Sequence, residues 1–164
     1  MNTGRVLFAV DNGVYVLKFV GDVRLEFGTR IDAFIEVVER DAGLKAVVVD
    51  LGETEHVDST SLGLLAKLSE VCVHRLGTVP MLVCRDRGML RFLHTMGFSD
   101  VFEICDALTD APKCTQELPA LAHDEEGTRQ SVLSAHRLLM SLNERNAREF
   151  RDLVQLLEQG GGGG

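Results

Sequence analysis

Positive charge is scarce in this 164-residue chain: 17 lysines and arginines stand against 25 acidic residues, a formal net charge of −8. Nucleic-acid binding rests on basic side chains that neutralise phosphates, so this balance argues against DNA or RNA as a partner. It favours solubility and partners with basic patches. No apolar run approaches the roughly 20 residues that a membrane-spanning helix needs. Met1 to Val10 lack the basic start and long apolar core of a secretion signal, so the expectation is a cytoplasmic protein with no membrane partner. The four cysteines, Cys72, Cys84, Cys105 and Cys114, form no C-x-x-C pair and have no histidine at ligand spacing beside them. Cys72 and Cys84 fall inside apolar runs and read as buried, reduced thiols. The five histidines, His56, His74, His94, His123 and His136, include no pair at the i, i+4 spacing of a helical metal site. Gly-x-Gly-x-x-Gly and Walker loops are missing, as is a nucleophile–base constellation. The reading is therefore of a non-enzyme without metal or cofactor.

What is present is alternation of strand and helix. Arg5 to Val10 and Val14 to Val20 are strand-like, and Asp11-Asn12-Gly13 between them is a hairpin signal. Gly21-Asp22 is expected to end the second strand. Ile31, Phe34, Ile35 and Val38 fall at helical spacing within Thr29 to Arg40, with Gly43 as the breaker. Lys45 to Leu51 reads as a strand buried on both faces. A helix opened by Ser59 or Thr60 follows, with an apolar face of Leu64, Leu65, Leu68 and Cys72 and a stop at Gly77. Val79 to Cys84 reads as a strand, Met89 to Met96 as a short helix ended by Gly97, and Val101 to Ile104 as the last strand. The order β-β-α-β-α-β-α-β predicts an α/β fold with a mainly parallel, mixed sheet and helices packed on it.

The division expected from this pattern is a domain over residues 1–110, a linker over 111–124 and a helical extension over 125–159. Leu138, Leu139, Leu142, Phe150, Leu153, Val154 and Leu157 give the extension an apolar stripe. Asn143 and Asn146 interrupt it, leaving open either one helix or two, the latter with Ser141 to Glu144 as a capping box. The stripe fits packing on the domain's own sheet or recruitment of a second partner. Gly160 to Gly164 is pure glycine and is expected to be disordered.

The most informative stretch is His56-Val57-Asp58-Ser59-Thr60-Ser61-Leu62-Gly63. It places a carboxylate and three hydroxyls where a helix begins. A helix N-terminus leaves N–H groups unpaired and carries partial positive charge, so it tolerates a phosphate. Ser59 thus reads either as a plain N-cap or as a modification site, and Asp58 as a helix-dipole charge or as part of a docking surface.

Val57-Asp58-Ser59-Thr60-Ser61-Leu62-Gly63 after its strand resembles the D-S-[ST]-G-L-G signature of STAS-domain proteins, in particular the bacterial anti-sigma-factor antagonists. Gly21-Asp22-Val23 resembles the family's G-[ED]-[LV]. Arg91-Phe92-Leu93-His94-Thr95-Met96-Gly97-Phe98 is similar to its Arg, apolar pair and Gly-aromatic helix end. The resemblance covers Val6 to Leu108, and Ser61 departs from the family's glycine. The longer C-terminal helix is similar to the extended form in HsbA-type antagonists.

The resemblance implies a partner-switching module. The unphosphorylated form would bind an anti-sigma factor or a Ser/Thr kinase of the histidine-kinase-like ATPase fold, and a PP2C-class phosphatase would reverse the modification. It implies Ser59 as the phosphosite, with Thr60 as runner-up. The docking surface expected is Asp58, Ser59, Thr60, Ser61, Leu62 and Gly63 with the loop from Asp22 to Leu25, and Leu62 as an exposed apolar anchor. Two alternatives stand beside it. One is a ligand- or nucleotide-binding STAS sensor, which needs an enclosed apolar pocket with convergent polar groups. The other is a receiver-like domain phosphorylated on Asp50, which lacks the family's acidic pair and its lysine.

Overall fold

Period-two alternation sorts the strand residues onto two faces. Tyr15, Leu17, Phe19, Val47, Val49 and Leu51 enter the main core, whereas Val16 and Val48 meet Val83 on the opposite face. The computed structural model describes residues 3–108, 110–122 and 124–160. Strands β1 (Arg5–Asp11) and β2 (Val14–Val23) form the expected antiparallel hairpin. Its turn uses Asn12 at φ 49° and Gly13 at φ 81°, the left-handed pair a two-residue hairpin demands. Helix α1 (Gly28–Arg40), strand β3 (Ala46–Val57), helix α2 (Ser59–Leu76), strand β4 (Met81–Val83), helix α3 (Arg87–Thr95) and strand β5 (Glu103–Cys105) follow. Strand β6 (Gln116–Glu117) pairs antiparallel with β1. The sheet order is β5-β4-β3-β2-β1-β6, parallel from β2 to β5. The mixed α/β sheet with packed helices is the fold the alternation predicts.

Several boundaries differ from expectation, most clearly those of the two central strands. Strand β2 passes through Gly21 to Val23, with a register irregularity between Gly21 and Asp22. Strand β3 runs six residues beyond Leu51, through a polar stretch. Backbone pairing holds it there: Val20 faces Glu53, Gly21 faces Thr54, and Val23 faces Val57. Helix α1 stops at Arg40 as its spacing predicts, and the residue that caps it is Asp41, not Gly43. Asp41 is held by two donors, the Gly43 N–H at 2.8 Å and the Tyr15 hydroxyl at 2.6 Å.

Burial, followed by the bond to Asp41, pushes the Tyr15 phenol up from 10.0 to about 12. The neutral phenol is the form the fold favours. Its contribution to stability is therefore complete below pH 10 and is lost as pH rises from 10 to about 12. Tyr15 is the only tyrosine and tryptophan is absent, so an absorbance titration follows this one group. We expect a midpoint near 12; a midpoint at 10 would mean that the phenol is solvated.

The C-terminal stripe folds onto the domain in cis. It forms two helices, α4 (Glu125–Leu142) and α5 (Glu144–Gly160). The break is capped by Asn143, not Ser141: Asn143 Oδ1 accepts the Asn146 N–H at 2.8 Å, while the Ser141 hydroxyl bonds back to Leu138 O at 2.6 Å. Buried Asn146 donates to Met96 O at 2.9 Å and Leu139 O at 2.8 Å, tying the hairpin to the end of α3. Leu139 and Val154 are buried, and Leu138, Leu142 and Phe150 pack against the core. Gly160 ends α5; the rest of the glycine tail lies outside the described residues.

Candidate functional site

The start of α2 is capped by Asp58, not by Ser59 or Thr60. Asp58 has extended backbone, and one carboxylate oxygen accepts the Ser61 N–H at 2.8 Å. The other accepts the Leu25 N–H at 2.7 Å, and the Asp58 N–H donates to Val23 O at 3.2 Å. One side chain therefore joins the β2–α1 loop to the helix start. Asp22, next to the last residue of β2, is gripped by the Arg24 Nε with both oxygens at 2.9 Å. That bond holds the Asp22 carboxyl below its ordinary range.

The three hydroxyls are not equivalent. Ser59, the first helical residue, is half-buried, whereas Thr60 is 4% exposed and Ser61 fully enclosed. Thr60 is thereby poorly placed as runner-up. Leu62 and Gly63 are also buried, so Leu62 is not the exposed anchor expected. The reason is that α2 is packed on both sides, by the sheet and by α4, and loses its solvent face along its first half. The apolar side chain that does stand out beside the site is Leu25, 47% exposed.

Ser61, where the family pattern has glycine, carries a buried hydroxyl with no hydrogen-bond partner. Such a group keeps its desolvation penalty without compensation. Ser61→Ala removes it and improves helix propensity. We expect a gain of about 1 kcal/mol in urea denaturation; a loss would reveal a partner for the hydroxyl.

The side chain that sequence reasoning missed is His136 of α4. Its Nε2 lies 2.8 Å from Ser59 Oγ and its Nδ1 lies 2.6 Å from Val132 O. A carbonyl can only accept, so Nδ1 carries a proton, and that bond turns Nε2 toward the Ser59 hydroxyl. The ring is 1% exposed and meets Phe150 edge-on at 5.1 Å. Its signal was available: it lies three residues before Leu139, on one helical face, and a polar ring inside an apolar stripe requires a partner. Around this bond α4 lies close to α2. A Cβ at Gly63 would fall 2.3 Å from Ala135 O. Asp32 of α1 pairs with Lys67 of α2 at 2.8 Å and accepts from Ser131 of α4.

The alternatives find less. Asp50 sits mid-strand in β3 rather than at a strand end, and its Oδ1 accepts the Gly52 N–H at 2.8 Å. That removes the receiver-like geometry. A cleft of about 630 Å³ lies between the sheet and the segment before β6, lined by Val16, Lys18, Asp50, Val83, Arg85 and Lys113 among others. Lys18 is already ion-paired with Glu53. Burial pushes the Cys72 thiol up to about 12 and raises the other three cysteines, so none is a ready nucleophile. Among the described residues no group of three or more His, Cys, Asp and Glu could hold a metal, and no helix is long and apolar enough to cross a membrane.

A family model described as STAS domain matches residues 6–111. Among solved structures the chain is similar to an anti-sigma factor antagonist from Mycobacterium paratuberculosis, at 26% identity over 65% of this chain and 88% of that one, with a TM-score of 0.53. It shares its fold with the anti-sigma factor antagonist SpoIIAA in its unphosphorylated form, at 14% identity over 63% of this chain and 89% of that one, TM-score 0.52. Comparison with curated proteins gives no match. Under two thirds of this chain thus meets nearly nine-tenths of either structure.

Proposed function

The chain belongs to the STAS-domain family, and from that premise we propose that it is an anti-sigma-factor antagonist controlled by phosphorylation of Ser59. In its unphosphorylated form it binds an anti-sigma factor or a Ser/Thr kinase of the histidine-kinase-like ATPase fold, in the cytoplasm; a PP2C-class phosphatase resets it. Residues 1–110 form the switch domain, and the helices after residue 124 are an addition to it. The observation that carries the reading is selective access. Of the three hydroxyls that open α2, Ser59 alone is more than a few per cent exposed, beside the Asp58 cap and the segment from Asp22 to Leu25 at the end of β2.

The physics of the switch is an added charge. A phosphate brings about −1.5 to −2 charges to a helix end that tolerates them. A partner that buries Asp58 and Ser59 does not tolerate them, because an unpaired buried charge costs several kcal/mol. Each ~1.4 kcal/mol is tenfold in affinity, so the block is sufficient without a change of fold.

Incubation with the cognate kinase and ATP, followed by tandem mass spectrometry, should place the modification on Ser59. Modification confined to Thr60, Ser61 or Asp50 would overturn the assignment. In calorimetric titration against the anti-sigma factor, Ser59→Ala should bind and Ser59→Glu should bind at least about tenfold more weakly. The opposite order would reverse the sign of the switch.

A further inference from the structure

The face of α2 that bears Ser59 already has an occupant, the chain's own C-terminal hairpin. Three observations indicate that this occupant is separable from the domain. The family match ends at residue 111, before α4 begins, and 63–65% of this chain suffices to cover 88–89% of the two solved structures. The hairpin also contributes little to the apolar core. Among the described residues, four of the 36 buried hydrophobic side chains lie in it, against three of the six buried polar ones, namely Ser131, His136 and Asn146. An interface with that polar share leaves surfaces that water can accept when it opens. Finally, between buried Leu118 and α4 the described residues form no strand or helix, so the hairpin is tethered rather than embedded.

We infer that α4–α5 is a displaceable arm that occupies the docking face of α2, so that arm and partner compete for one surface. The inference builds on the reading of α2 as the docking helix. The chemistry of the contact also describes the partner. The face receives a helix that sets an alanine-sized residue against Gly63, where Ala135 now lies, and a hydrogen-bonding group against the Ser59 hydroxyl, where His136 Nε2 now lies. A phosphate on Ser59 takes the space of the His136 ring, which is 2.8 Å from Oγ and buried. The modified chain therefore cannot close on its own arm any more than it can hold a partner.

The test uses only this chain. In the full-length protein, Ala135→Glu sets a charge against the Gly63 backbone and opens the arm while leaving the switch domain unaltered. The probe is a fluorescent synthetic peptide of residues 124–160. The opened chain should bind it at least about tenfold more tightly than the wild-type chain, whose tethered arm excludes it at high effective concentration. Adding Ser59→Glu to the opened chain should abolish that gain. Equal binding by wild-type and opened chains would overturn the inference, as would loss of exchange protection in β3 of the opened chain. Hydrogen exchange of the unaltered chain in low urea is the second measurement. Amides of 125–160 should exchange at least about tenfold faster than those of β3, and equal rates would mean that the arm opens only when the whole fold does. No anti-sigma factor enters either measurement. Failure here leaves the family reading standing, and failure of the titration above leaves the arm untouched.

Discussion

Gly63→Val should lower the stability of the full chain by about 3 kcal/mol and lift α4 away from α2. A Cβ at this position meets Ala135 O at 2.3 Å and the Ala135 C and Cβ at 2.6 Å. Backbone atoms cannot rotate out of the way as a side-chain tip does, so one helix has to move. Within α2 itself valine is an acceptable helical residue, at under ~1 kcal/mol of propensity relative to alanine. The loss therefore arises at the contact between the two helices. Urea denaturation gives its size and hydrogen exchange its location. We expect faster exchange over α4 and α5 while β3 stays protected. A neutral Gly63→Val would mean that the helices do not approach this closely in solution.

The glycine also shows what the sequence could and could not convey. Gly63 is visible as part of the Asp58-to-Gly63 signature, but the atom it must avoid belongs to Ala135, 72 positions further on. Local pattern carries the strands and helices well, because each depends on its own apolar period. The hairpin at Asn12-Gly13 is legible from two residues, since their positive φ values are a local demand. The second half of β3 is not, because Glu53 to His56 are polar and the pairing that makes them strand comes from β2. The same limit applies to the site. Asp58 and Ser59 at a helix start can be read off the chain. The burial of Thr60, Ser61 and Leu62 cannot, because it is imposed by elements distant in sequence, the sheet and the helices that pack around α2. The apolar stripe of the extension was evident from its spacing, and a stripe alone does not name the surface it covers. His136 supplies that information only once its partner Ser59 is in view.

Leu62→Ala and Leu25→Ala should separate folding from docking. Leu62 is fully enclosed in the main core, so truncating it removes buried methyl groups and leaves a cavity. We expect a loss of about 2–5 kcal/mol in urea denaturation. The variant that remains folded should still bind the anti-sigma factor, because the Leu62 side chain belongs to the main core and the anchor expected at the docking surface is Leu25. Leu25 is the opposite case. It is 47% exposed, and the contact it makes with Asp58 runs through its backbone N–H, which alanine retains. Leu25→Ala should therefore change stability by no more than about 0.5 kcal/mol. Its side chain is the apolar group beside Asp58 and Ser59 that a partner can cover, and anchors of that kind carry upwards of ~1 kcal/mol of binding energy. Calorimetric titration should show a loss of roughly fivefold or more for Leu25→Ala. If Leu25→Ala binds like the wild type while Leu62→Ala stays fully stable and loses binding, then the apolar anchor is Leu62 after all, and α2 must rotate its first turn outward when the partner docks.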